Sequence, residues 1–285
     1  TYRGGPAYYM SRGLGWKPLA TIFSVAIAIT FGWFYNAFQT NAISDSLAAS
    51  FGQDSGAFKA GVGIAVVAVA GLIIIGGVQR IASMTQFIVP FMAGAYLIMG
   101  FIVVVLNFDK VPDMFVSIVG SAFGFREAAG ATLGMAMLKG IQRGLFSNEA
   151  GEGSAPNAAA TATVSHPVKQ GLVQTLGVYF DTLVVCTITA FIILLGTEFE
   201  TFGSDAIEGV TLTQNALSNV VGEWGIHFVT FILFFLAFSS ILGNYYLAES
   251  NVEYLSGKKW VLWAFRLIVL AFVFYGAVAP LGTVF

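Results

Sequence analysis

Six long apolar runs, at 18–43, 58–78, 84–106, 170–196, 225–247 and 260–282, constrain this chain more than any other feature. Each reaches the length of about 20 residues that a helix needs to cross the hydrocarbon core of a bilayer. Lipid offers no partner to a bare backbone N–H or C=O, so such runs are expected to be helical. A weaker seventh run at 128–146 contains Thr132, Lys139, Gln142 and Arg143, with four glycines from Gly130 to Gly144. The expectation is an all-α membrane protein with about seven transmembrane helices. Composition agrees. Only 10% of the residues are charged and 57% are hydrophobic, whereas a soluble domain carries about 25% charged residues to face water. The 33 glycines suit helices that approach one another closely without a hydrophobic force between them.

Basic residues orient the runs. If the first run leaves the inside, the inner segments hold Arg3, Arg12, Lys17, Arg80, Arg143, Lys169, Lys258 and Lys259, and the outer ones only Lys59, Lys110 and Arg126. That excess places the chain start in the cytoplasm and Phe285 outside. The chain opens at Thr1 rather than Met and stops after an apolar run. It reads as a single transmembrane domain, 1–285, cut at both ends from a longer protein. No signal-peptide pattern opens it. A net charge of -2 argues against a nucleic-acid partner. The single cysteine, Cys186, cannot form an intrachain disulfide.

Two connections stand out. Residues 108–127, with Pro112 before Met114, Phe115, Ile118 and Val119, suit a short amphipathic helix on the outer face. Residues 146–169 are small, polar and Gly-rich between apolar runs. That pattern fits a plain loop as well as the unwound part or end of a broken membrane helix.

Polar residues inside the runs carry the functional signal, and each has a structural reading beside it. Gly32, Asn36, Gln39 and Ile43 fall near one face of the first helix. Asn36 and Gln39 read either as hydrogen-bonding glue to a neighbouring helix or as the polar wall of a central cavity. Ser239 and Ser240 lie mid-helix, where hydroxyls commonly bond back to a carbonyl one turn earlier; they are also hard oxygen ligands suited to sodium. Asp181 reads as a cation-coupling acid or as a structural pair. Arg266, near the inner end of the last run, is expected to snorkel towards the interface. Catalysis finds no foothold: His166 and His227 fall on opposite predicted sides, and no metal-ligand cluster or nucleophile–base pair can be assembled. No organic cofactor is expected, and the chain is not read as an enzyme.

The string Gly144-Leu145-Phe146-Ser147-Asn148-Glu149-Ala150-Gly151-Glu152-Gly153-Ser154-Ala155-Pro156 closely resembles the alanine/glycine:cation symporter family. The resemblance extends to Gly4-Gly5-Pro6-Ala7-Tyr8-Tyr9-Met10, Asn36-x-x-Gln39-x-Asn41, His166-Pro167-Val168-x-Gln170-Gly171, Asp181-Thr182 and Phe238-Ser239-Ser240, in order along nearly the whole chain. It implies a core of five plus five helices in inverted repeats. This chain would supply helices three to nine of ten, with 128–146 as a Gly-rich broken helix. It further implies symport of sodium with alanine or glycine across the cell membrane. Ser239 and Ser240 stand where sodium-binding hydroxyls are expected, and Gln39 matches a glutamine facing the substrate. Asn36, Met137, Ile141 and Asn244 complete the expected substrate contacts, Asn244 standing where some relatives carry tryptophan. Phe146, Ser147, Asn148, Glu149, Gly151 and Gly153 form the family signature. The first and tenth core helices, with part of the sodium and carboxylate sites, lie outside this chain under that reading. The rival is a channel or transporter-like sensor that binds the amino acid without pumping it. Oligomeric state is not legible in the sequence.

Overall fold

The computed structural model describes residues 3–122, 138, 140–142, 144, 147–149, 151–197 and 209–280. Among the described residues there are helices and no strand. Helices run over Pro6–Arg12 (α1), Lys17–Phe51 (α2), Gly56–Ile75 (α3), Val78–Leu106 (α4), Val111–Ala122 (α5), Ser154–Ala159 (α6), Pro167–Gly196 (α7), Val210–Val221 (α8), Trp224–Leu255 (α9) and Lys259–Val278 (α10). Six of them, α2, α3, α4, α7, α9 and α10, are long and apolar enough to cross a membrane. They coincide with the six strong runs. Most of the weaker run at 128–146 lies outside the described residues, although positions 138, 140–142 and 144 are helical.

Two of the long helices continue past their apolar runs. α2 carries on through Ser44, Asp45 and Ser46, and α9 through Glu249, Ser250 and Asn251. Hydropathy ends a run at such residues, but a helix continues where they find partners, as Asp45 does in Lys59 and Glu249 in Arg266. α2 and α7 each contain one π-helical segment, Thr30–Phe34 and Asp181–Cys186. In both, a side chain takes a carbonyl of the widened turn: Asn36 Nδ2 donates to the Gly32 carbonyl at 3.1 Å, and Thr187 Oγ1 to the Thr182 carbonyl at 3.4 Å. Single π turns recur in helices at functional positions.

The chain divides into two compact units. The first comprises Thr1–Gly94, Ser154–Ser165 and Ile226–Phe285. In it α2, α3, α9 and α10 pack around a core that includes Phe31, Ile74, Leu242, Tyr245 and Val269. Small residues set the closest approaches. Gly276 of α10 lies so near α2 that a Cβ there would overlap the Ala37 backbone, Gly63 of α3 faces Ala277, and Gly32 of α2 faces Ala248 and Phe265. Lipid tails are as apolar as leucine, so close van der Waals packing of this kind is what draws membrane helices together. Trp33 stacks on Phe272 with ring centroids 5.3 Å apart.

The second unit comprises Ala95–Gly153 and His166–Gly225. Here Tyr96 of α4 donates its hydroxyl to Thr189 of α7 at 2.9 Å. The expected amphipathic helix forms as α5, docked by Phe115 against Phe191 with centroids 5.7 Å apart. α8 has no counterpart in the sequence reading, because its residues 211–219 are rich in Thr, Gln, Asn and Ser. It packs on the end of α7, where Asn219 Nδ2 donates to the Gly196 carbonyl at 2.9 Å.

The Gly276 contact makes a direct prediction. Gly276→Ala should destabilise by about 1–3 kcal/mol, the usual cost of overpacking, because the atoms it meets are backbone and cannot turn aside. Gly61→Ala, where a Cβ meets nothing within 4 Å, should be neutral or stabilising, as alanine is the better helix former. Thermal unfolding of the two variants in detergent, followed by loss of monodisperse protein, checks the contrast.

Candidate functional site

Asn36, Thr40, Asn41, Ser44 and Ser46 of α2 are each at most 1% exposed. With Ser24, also fully buried, that makes six buried polar side chains in one membrane helix and raises the question of where their hydrogen bonds go, since an unmet one costs about 1–3 kcal/mol. Thr40 Oγ1 donates to the Asn36 carbonyl at 2.9 Å. Asn41 Nδ2 donates to the carbonyls of Gly276 and Ala279 at 3.1 and 2.8 Å, tying α2 to the end of α10. Asn36 Nδ2 is engaged by Gly32. Its carboxamide oxygen is buried with no hydrogen-bond partner among the described residues, as are Asn41 Oδ1 and Ser44 Oγ.

α9 runs antiparallel to α2, and hydrogen bonds near both ends fix the register. Ser24 Oγ donates to Asn251 Oδ1 at 3.2 Å. Thr230 Oγ1 donates to the Ser46 carbonyl at 3.3 Å, and Ser50 bonds to His227. Between these points Asn36 falls level with Ser239 and Ser240. Both serine hydroxyls donate to the Leu236 carbonyl, at 2.8 and 3.1 Å. The structural expectation for this pair is therefore met, yet their oxygens keep lone pairs for a cation. Asn244 is buried one turn further along α9. Gln39 is half-buried on α2 and makes no hydrogen bond among the described residues. At this one depth the first unit thus offers neutral, hard oxygens from a carboxamide and two hydroxyls. That donor set suits an alkali cation or an ammonium group and not a soft metal. Among the described residues no group of three His, Cys, Asp or Glu could hold a metal ion.

The signature string is anchored at both ends. In the second unit Ser147 Oγ donates to Asp181 Oδ2 at 2.7 Å, and Thr182 Oγ1 donates to Asn148 Oδ1 at 2.8 Å. Asp181 and Thr182 open the π segment of α7, so Asp181 has a hydrogen-bonded pair. Phe146 lies outside the described residues. Glu149, Gly151 and Gly153 then take positive φ values of 49°, 84° and 76°. In the first unit, α6 carries Asn157, buried, whose Oδ1 accepts from Asn251 Nδ2 at 3.2 Å. Gly5 presses on this asparagine so closely that a Cβ at Gly5 would overlap its side chain. The Gly-Gly-Pro motif thus belongs to the packing of the signature segment.

A family model described as the sodium:alanine symporter family matches residues 1–285. The chain belongs to that family. Its relatives include an uncharacterized transporter of Haemophilus influenzae, 49% identical over 98% of this chain and 57% of the relative. The amino-acid carrier protein AlsT of Bacillus subtilis is 44% identical, with 98% and 58% covered. The sodium/alanine symporter AgcS of Methanococcus maripaludis is 39% identical, with 99% and 62% covered. The chain therefore spans about three-fifths of the length of these curated relatives.

In this member of the sodium:alanine symporter family, Asn36, Gln39, Ser239, Ser240 and Asn244 all lie in the first unit. Ile141 lies in the second unit and is exposed, and Met137 lies outside the described residues. One expectation is corrected. Arg266 does not snorkel: its Nη2 meets Glu249 Oε1 at 2.7 Å, its Nε donates to Tyr245 OH at 2.9 Å, and it sits over the Trp263 ring. Glu249, 6% exposed, provides a carboxylate partner inside the bundle that holds the guanidinium there. Sequence reasoning missed Glu249, Asn251 and Asn157. The first two lie just past the apolar run of α9, and the acid of Glu249 was a signal that Arg266 had a partner.

The ion pair predicts an asymmetric mutational response. Glu249→Gln or Arg266→Gln alone should destabilise by about 3–5 kcal/mol, because each leaves the opposite charge unpaired. The double change should cost less than either single one. Thermal unfolding of all three variants measures it, and three additive losses would contradict the pairing.

Proposed function

We propose that this chain is the larger part of a secondary active symporter that couples sodium entry to uptake of a small neutral amino acid, alanine or glycine, across the cell membrane. The observation that carries the reading is the buried, unpartnered Asn36 oxygen level with Ser239 and Ser240, in a chain of the sodium:alanine symporter family. A named sodium/alanine symporter among the relatives supports the cargo.

In this reading the chain contributes seven crossings, the seventh through 128–146, as helices three to nine of a ten-helix inverted-repeat core. Arg3, Lys17, Lys258 and Lys259 gather at one end of the first unit, where α2 and α10 start and α9 stops. That end is cytoplasmic. Ser239 and Ser240 give hydroxyl oxygens to sodium. Gln39, Asn36 and Asn244 form the polar wall facing the amino acid. The partners are sodium, the amino acid and the bilayer, with no organic cofactor.

Coupling then follows from linkage. If sodium raises the affinity for alanine by some factor, alanine raises the affinity for sodium by the same factor. The loaded state is the one that reorients, so substrate follows the ion down its gradient. Each sodium entering also gains about 2.3 kcal/mol per 100 mV of membrane potential, enough to drive alanine against its own gradient.

The test uses the full-length protein in proteoliposomes. Alanine should accumulate above the outside concentration under an inward sodium gradient and stop when the gradient is collapsed. Uptake that only equilibrates, or that ignores sodium, would support the channel or sensor instead. Ser240→Ala should raise the sodium concentration for half-maximal uptake by about tenfold, a loss of about 1.4 kcal/mol. An unchanged sodium response would remove Ser240 from the ion site.

A further inference from the structure

Two hydrogen bonds side by side join the signature string to the π segment of α7. Ser147 donates to Asp181 at 2.7 Å and Thr182 donates to Asn148 at 2.8 Å. The pairs are reciprocal in polarity: the string gives a proton at Ser147 and receives one at Asn148. Asn148 is fixed again from behind, its Nδ2 donating to the Gly144 carbonyl at 3.1 Å. Cys186, which closes the π segment, lies with its sulfur 3.6 Å from Ser147 Oγ. Asp181 and Thr182 are the first two residues of the π segment and meet consecutive residues of the string.

Immediately beyond this double bond the backbone changes character. Glu149, Gly151 and Gly153 all have φ between 49° and 84°, and Glu149 is the non-glycine with positive φ among the described residues. Four residues further on, Asn157 is held by Asn251, which in turn accepts from Ser24. Three left-handed residues therefore follow directly on a fixed point. A Cβ at Gly151 would meet nothing within 4 Å. Glycine is needed there for its φ and not for space.

We infer that Asp181 and Thr182 are positioning residues that clamp Ser147 and Asn148 to α7 throughout the transport cycle, and that Glu149, Gly151 and Gly153 are hinge positions at which the chain bends beside that clamp. This rests on the symport reading and adds to it the element that bends and the element that does not. Hinges are short stretches of backbone that absorb large φ and ψ changes. They work only where the flanking residues are held.

The structure supplies a direct test, because Ser147→Cys would place a thiol beside the native Cys186. In the full-length protein, with any other cysteines replaced, copper phenanthroline should oxidise the two thiols to a disulfide, the copper complex and oxygen accepting the electrons. Alanine uptake by the cross-linked protein should stay within twofold of the dithiothreitol-reduced protein, since a bond that never opens can be made covalent without loss. Failure of the disulfide to form would contradict the juxtaposition. Uptake lost on oxidation and restored on reduction would show that the clamp must open, and would overturn the inference.

The hinge is read separately with Gly151→Ala. Maximal uptake should fall about tenfold while equilibrium binding of labelled alanine changes less than threefold. Unchanged uptake, or equal losses in rate and binding, would overturn the hinge. If the unmodified protein fails to move alanine at all, the symport reading fails by itself. Formation of the 147–186 cross-link still decides whether the clamp exists.

Discussion

A helix carrying Asn36, Thr40, Asn41, Ser44 and Ser46 as buried residues cannot lie with that face against lipid, where nothing would meet their polar atoms. It must be surrounded by protein, and the first unit is arranged to do so. α9 lies antiparallel to it and bonds through Ser24, Ser46 and Ser50. α10 approaches until Gly276 touches the Ala37 backbone, close enough for its carbonyls to receive Asn41. The glycines and the buried amides are two sides of one requirement. Small residues bring backbones near enough to serve as hydrogen-bond partners, and the amides make that nearness specific.

Against that background the incomplete pairings carry meaning. On α2 the oxygens of Asn36, Asn41 and Ser44 and the Trp33 indole nitrogen are buried without a partner among the described residues, and of these the Asn36 oxygen lies level with two serine hydroxyls, where the proposed cargo would bring the missing partner. The same logic separates Arg266 from the site. Its charge is paired with Glu249 and its Nε with the Tyr245 hydroxyl, which fixes α9 against α10.

Apolar runs announced the six long helices, because hydropathy over about 20 residues is a strong signal. It failed where polarity and helicity part. The ends of α2 and α9 and the whole of α8 are helical although polar, and residues such as Asp45, Glu249 and Asn219 find partners within their own unit, which no local pattern reveals. For the site, residue types named Asn36, Gln39, Ser239 and Ser240 but left gluing and binding equally open. Asn41 is tied to α10 through its Nδ2; its oxygen and that of Asn36 are both unmatched among the described residues, but only Asn36 lies level with the two serines. The distinction depends on the register between two helices about 200 residues apart in sequence, and so could not be read from either one. The ordered family motifs were legible throughout. What they could not convey is why Gly5 and Asn157 belong together, or that Asp181 grips Ser147.

The central claim is that Ser240 of α9 gives its hydroxyl to sodium while Asn36, level with it on α2, faces the amino acid. Its most direct test is alanine binding to the full-length protein, measured as a function of sodium concentration. Ser240→Ala should raise the sodium concentration for half-maximal binding by about tenfold, and Asn36→Ala should weaken alanine binding by about tenfold at saturating sodium. An unaltered sodium dependence in Ser240→Ala, or an unaltered alanine affinity in Asn36→Ala, would contradict the account.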